Sequence, residues 1–135
     1  MDLSKALQIS SKGMEVQTTR LRVIAENLAN QDTTGSTPGA GPFRRKVVTF
    51  ENRLNDAVGA ETVKIKSISK DKTEFPLKFD PSNPAADAKG YVKMPNINSF
   101  TEVMDMREAQ RSYSANLNVL DVTRSMLSRT IELLK

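Results

Sequence analysis

At 135 residues, with 38% hydrophobic residues, 5% aromatics and no tryptophan, the chain makes one small domain with a thin core, and a lone copy is only marginally stable. Cysteine and histidine are both absent, which excludes disulfides and thiol chemistry and removes the usual zinc ligands and the usual base of a nucleophilic triad. The net charge of +4 falls wholly on residues 36–98, whereas residues 1–35 and 99–135 are each neutral, so the two ends can pack on copies of themselves without strong repulsion.

Lys5 and Lys12 interrupt the N-terminus, so it does not read as a secretory signal. No stretch is apolar for long enough to insert in a membrane. These rules alone place the protein in the cytoplasm. Residues 2–30 read as one amphipathic helix. Leu3, Leu7, Met14, Leu21, Ile24 and Leu28 step by threes and fours, with Ser10 and Gln17 as polar interruptions, which is the spacing of a coiled-coil seam. A second stripe, Ile9, Val16 and Val23, widens the apolar face. The expectation is that this second stripe meets a neighbouring subunit, while Leu7, Met14 and Leu21 face the chain's own C-terminal helix. Gly13 is a weak point in the helix interior. Asn30 or Gly35 is expected to end the helix in a left-handed conformation, and residues 30–42 form a loop that Pro38 keeps from resuming the helix.

Short strand-like runs follow at Arg44 to Phe50, Thr62 to Ile68, Phe75 to Phe79 and Tyr91 to Met94, with Pro76 confining the third to an edge. From Ser99 to the end there is no glycine or proline, and Ser99 with Glu102 fits a capping box. The seam of this second helix is Val103, Met106, Tyr113, Leu117, Leu120, Leu127, Ile131 and Leu134, interrupted by Gln110 and Arg124. The fold class expected is mainly α: two long terminal helices packed as an α-helical coiled coil, with a small, irregular, hairpin-like β element between them. Residues 1–35 and 96–135 form one discontinuous helical domain, and residues 36–95 a loop plus the β-rich middle. Two such helices pairing once leave their outer stripes wet, so both seams and the second stripe are expected at subunit interfaces in an oligomer or filament.

The chemical motifs favour bland readings. The glycine-rich GSTPGAGP at 35–42 follows a helix and lacks the Gly-Lys-Ser/Thr ending of a phosphate loop. Asp80, Asn83 and Asp87 lack the spacing of a calcium loop and read as a turn. Asp105 and Glu108 with nearby arginines suggest a local i, i+3 salt-bridge lattice, not acid–base catalysis. Met14, Met104, Met106 and Met126 read as packing residues. Arg44-Arg45-Lys46 reads as a strand with solvated charges, although it keeps a nucleic-acid-binding module open as the alternative function. No catalytic residue, metal ligand or cofactor is expected.

Two stretches go beyond pattern. Ala25-Glu26-Asn27-Leu28-Ala29-Asn30-Gln31-Asp32-Thr33-Thr34-Gly35 resembles the N-terminal signature of flagellar rod, hook and related axial proteins, roughly A-x-N-L-A-N-x-x-T-x-G. Its fixed positions here are Ala25, Asn27, Leu28, Ala29, Asn30, Thr33 and Gly35. Gly90-Tyr91-Val92-Lys93-Met94-Pro95-Asn96-Ile97-Asn98, Glu102 to Met106, Tyr113 to Asn116, Leu120 to Thr123, Gly41 to Lys46 and Phe79 to Pro84 narrow the resemblance to the proximal-rod member. Ser114 stands where glutamine is expected, Arg107 is a charge in an apolar neighbourhood, and residues 51–74 show little resemblance. The resemblance implies terminal helices packed side by side in the rod that carries torque for motility. It implies export through the flagellar type III apparatus without a cleaved signal. The implied partners are copies of the chain, other rod proteins and base-ring or rod-adaptor components, with no nucleic acid and no membrane insertion.

Overall fold

The computed structural model describes residues 2–135. In chain order it contains helix α1 (Leu3–Ala29), strands β1 (Lys46–Asn55), β2 (Ala60–Lys70), β3 (Leu77–Phe79) and β4 (Tyr91–Lys93), and helix α2 (Ser99–Leu133). The β element is two separate two-stranded ribbons, β1–β2 and β3–β4. The second is antiparallel, with Leu77 opposite Lys93, Lys78 opposite Val92 and Phe79 opposite Tyr91. The first is closed by the four-residue connection 56–59, a length that only antiparallel strands can use. Gly59, at φ 65°, supplies the left-handed residue of that turn. The polar stretch Glu51–Asn55 is therefore strand, beyond the expected run, because pairing with β2 satisfies its backbone whatever its side chains.

The helix ends are set by side chains. Asp2 starts α1, its Oδ1 accepting the amide protons of Ser4 at 3.0 Å and Lys5 at 3.4 Å. Its other end does not use the expected left-handed cap: among the described residues positive φ occurs only at Gly39, Gly59 and Gly90. The last turn tightens instead, with the Asn30 amide donating to both Glu26 O and Asn27 O, while Asn30 Nδ2 donates to Glu26 O at 2.8 Å. Gly35 is needed for closeness, since a Cβ there would lie 2.4 Å from the Ala40 carbonyl oxygen. The start of α2 also differs from expectation. Asn98 is the cap, accepting from the amides of Phe100 at 3.0 Å and Thr101 at 3.3 Å, whereas Ser99 Oγ donates to Gln31 Oε1. Glu102 does not close a capping box because its carboxylate is held by Arg45 and Asn27.

By contacts the chain divides into two compact units. One comprises residues 2–21, 48–67 and 106–135. Here α1 and α2 run antiparallel, with Gly13 against Asn116 and Arg20 Nη2 3.4 Å from Glu108 Oε2, and the Arg20 guanidinium lies 6.0 Å from the Phe50 ring centre. The other comprises residues 22–47 and 68–105, around fully buried Val92, Asn27 and Glu102.

The face that α2 buries is not its leucine stripe. Glu102, Ala109 and Thr123 are buried and Asn116 is half-buried, at intervals of seven residues. Gly13 explains the choice: a Cβ there would stand 2.9 Å from the Asn116 amide, so the backbones come too close for a large side chain. Val103, Leu117, Leu127, Ile131 and Leu134 are exposed, as are Met104 and Met126, which the sequence suggested were packed. On α1, Val16 and Val23 are covered within the single chain along with Ile24, so the outward role expected of them is corrected. Ile9 alone of that stripe stays exposed, and Leu3, Leu7, Met14, Leu21 and Leu28 are half-buried.

If the close approach at Gly13 sets this packing, Gly13→Val should destabilise the chain by about 1–3 kcal/mol in urea unfolding. Adding Asn116→Ala should recover a substantial part of that loss, because it removes the group the new side chain meets.

Candidate functional site

The second unit is held by one polar clasp, and it gathers the motifs the sequence singled out. Asn27, 1% exposed, uses its amide as a backbone would: Nδ2 donates to Lys46 O at 2.9 Å, and Oδ1 accepts from Lys46 N at 2.9 Å. The first residue of β1 is thereby pinned to α1. Asn27 Nδ2 also reaches Glu102 Oε2 at 3.3 Å. Glu102 is fully buried, and its other oxygen accepts from Arg45 Nε. Arg45 extends further, to Asp71 at 3.4 Å and Asp105 at 3.7 Å, and Lys46 Nζ pairs with Glu26 at 2.5 Å.

A second layer fixes Arg45 by its backbone. Its amide donates to Asn96 Oδ1 at 2.8 Å, and its carbonyl accepts from the Asp71 amide at 2.8 Å. Asn96 Nδ2 in turn reaches Asp71 O and Thr73. Arg44 donates to the carbonyls of Asp71 and Thr73 and lies 4.1 Å from the Phe75 ring centre, a cation–π distance. Burial works against the Arg45 charge, but the hydrogen bonds and charges of Glu102 and Asp71 outweigh it and raise its pKa above the ordinary arginine value. The Thr73 amide and hydroxyl, then Arg45, hold Asp71 below the usual carboxylate range. Its contribution to stability is present above its unfolded pKa and is lost as pH falls through the lower folded one.

The basic run is thus half-buried, and each of its cations is engaged by the chain's own groups, which leaves few of its donors for the phosphate contacts a nucleic-acid reading needs. Asp105 and Glu108 likewise reach Arg45 and Arg20, far away in sequence. The family-type positions do structural work. Asn27 forms the clasp, Asn30 ends α1 and accepts from Thr33 Oγ1, Thr33 O accepts from the Phe43 amide, and Gly35 admits Ala40. Ala25 and Ala29 are exposed. Asp80, Asn83 and Asp87 close turns through Ser82, Ala85, Lys89 and Tyr91, and the amides that Asp87 accepts, that of Tyr91 foremost, lower its pKa. Asn96 and Glu102 were missed as partners of the basic run, and the only sequence signal for them was their place in the resembling blocks.

Nothing in the arrangement assembles a reaction centre. No group of three or more acids that could hold a metal occurs among the described residues. An open cleft of about 540 Å³ in the first unit, between α1 at Lys12–Val16 and the β1–β2 ribbon, carries the Lys12–Glu15 ion pair and no nucleophile with a base beside it. No helix among the described residues is long and apolar enough to cross a membrane.

Because Glu102 has no solvent contact, Glu102→Ala should cost about 3–5 kcal/mol by leaving Arg45 short of its nearest anion. Glu108→Ala, which removes a pair whose carboxylate is 67% exposed, should cost less than about 1 kcal/mol. Urea unfolding of the two variants checks the contrast.

Comparison with known proteins gives this clasp and the helices around it a family. Residues 7–37 match the family described as flagella basal body rod protein, and residues 88–133 match the C-terminal family of the flagellar basal body rod FlgEFG proteins. Over 133 residues the chain is 53% identical to the flagellar basal-body rod protein FlgC of Agrobacterium fabrum, covering 98% of this chain and 96% of the relative. The FlgC proteins of Aquifex aeolicus, at 41% identity with 98% and 97% covered, and of Bacillus subtilis, at 33% with 95% of each covered, are also similar. The chain belongs to the FlgC family of flagellar basal-body rod proteins and is a structural subunit of that rod, not an enzyme.

Proposed function

We propose that the subunit polymerises through the faces of α1 and α2 that its own fold leaves open, and that residues 1–35 and 96–135 form the assembling helical domain. The observation that carries this is the division of labour on α2. Small and polar side chains face its own chain, while Val103, Leu117, Leu127, Ile131 and Leu134 remain exposed. The register of the helix pair, set by Gly13 with Asn116 and Arg20 with Glu108, brings Leu3 opposite about position 126, so the last two turns of α2 run beyond α1. Full burial of a large apolar side chain stabilises by roughly 1.5–3 kcal/mol. Several such residues on one helix therefore supply a strong drive to associate once neighbours cover them.

Knobs-into-holes packing in that assembly suits these faces, because the seam keeps its three-and-four spacing along both helices. Ile9, Leu7, Met14, Leu21, Met106, Tyr113 and Leu120 complete it where single-chain burial is partial. The pair of helices so assembled makes a shaft in the proximal rod that passes torque to what lies beyond. Neighbours would be copies of the chain, other rod proteins and base-ring or adaptor components. A thin core also suits transit through the type III export apparatus, where low unfolding cost is an advantage.

Ile131→Asp tests the reading, because Ile131 is exposed in the single chain and lies in the overhang. The purified variant should keep its urea midpoint, with a change within about 0.5 kcal/mol. Cells carrying it should export the subunit and fail to build the rod. Normal rods and normal swimming would contradict the proposal.

A further inference from the structure

The β1–β2 ribbon leaves one long strand edge unused. β2 pairs with β1 on one side only, and among the described residues no backbone hydrogen bond from outside the ribbon reaches residues 61–69. Its other side presents a row of amides and carbonyls with which a further strand can pair. β1 differs at its start, where Asn27 occupies both backbone groups of Lys46. Within the first unit, the open edge of β2 gives onto the cleft beside α1. Thr62, Val63, Lys64 and Ile65 all line that cleft. Successive side chains of a strand point to opposite faces, so four consecutive lining residues mean that the strand meets the cleft along its unpaired edge.

The two faces beside this edge differ in chemistry. Val63 and Ile65 are half-buried, and with Val16 and Leu54 they give the cleft apolar walls. Lys64 and Lys66 share the other face and are exposed. Neither has an ion pair among the described residues. Arg53, exposed and likewise without an ion pair, also lines the cleft. Of the two acids there, Glu15 is paired with Lys12 at 2.7 Å, and Asp56 lies in the turn beyond β1.

These features define the occupant. A strand added to this edge needs acids two residues apart to face Lys64 and Lys66, with an apolar residue between them turned toward Val63 and Ile65. A second copy of the chain does not supply it. No two of its 16 acids stand two residues apart. Each of β1 to β4 carries at least one lysine, and Glu51 and Glu61 are the only acids in these strands. Lysines on an edge strand also keep like edges from joining. We infer that the β2 edge over residues 62–67 is a docking site for an extended segment of a different protein, alternating acidic and apolar residues, which adds a strand to the ribbon. The contact goes beyond the helical assembly proposed above and does not rest on it.

The free subunit suffices for the test. The probe is a short synthetic peptide alternating glutamate and valine, compared with a lysine–valine peptide, a glutamate–glycine peptide and double-stranded DNA. In fluorescence anisotropy the glutamate–valine peptide should bind about tenfold or more tightly than each of the others. It should also slow amide hydrogen exchange at residues 62–67. The same peptide methylated at every backbone amide should not bind, because strand addition needs those amides. Lys64→Glu with Lys66→Glu should turn the preference toward the lysine–valine peptide while the urea midpoint stays unchanged. Binding that survives amide methylation, equal binding of DNA or of the glutamate–glycine peptide, no protection at residues 62–67, or no binding at all would overturn the inference. None of these results bears on rod assembly, which the Ile131→Asp variant tests separately.

Discussion

A carboxylate without solvent contact costs several kcal/mol unless its own chain supplies a cation and hydrogen bonds. Glu102 is such a group, and much of the second unit follows from answering it. Arg45 must lie at its side, so β1 must begin where it does. Lys46, next along, is then placed for Asn27, whose amide continues the strand's hydrogen bonding onto α1. Asn96 and Asp71 hold the backbone of Arg45 so that its side chain cannot swing away. The basic run that gives the middle of the sequence its excess charge is, in the folded chain, the counterion of acids on α1, α2 and the segment after β2.

Helix packing follows a second constraint, the closeness set by Gly13. A glycine costs about 1 kcal/mol of helix propensity relative to alanine, and here it admits Asn116 and brings a narrow side of α2 inward. The consequence is functional. Helices that spent their large apolar residues on each other would fold a more stable monomer with little left for neighbours. This chain does the reverse on α2, which fits a subunit whose stability comes chiefly from its assembly.

How far the sequence reached depended on the range of the interactions. Both helices were legible because their periodicity is local, and the strands were legible as runs of β-branched and aromatic residues, short of the polar half of β1 that only pairing reveals. The turns of Asp80, Asn83 and Asp87 were legible because side chains there bind amides two to four residues on. The clasp was not, since Asn27 and Glu102 are 75 residues apart and neither sits in a pattern that names its partner. The inward face of α2 was hidden for another reason. Periodicity finds the most apolar stripe of a helix, whereas backbone closeness at one glycine selected the smallest.

The central claim is that the fold keeps the large apolar residues of α2 for other subunits, and side-chain footprinting measures it directly. Carbene labelling of the free subunit should mark Leu127 and Ile131 strongly and leave Ala109 and Thr123 unmarked. In isolated basal bodies all four should be protected. Protection of Leu127 and Ile131 in the free chain, or their continued labelling in the rod, would contradict the account.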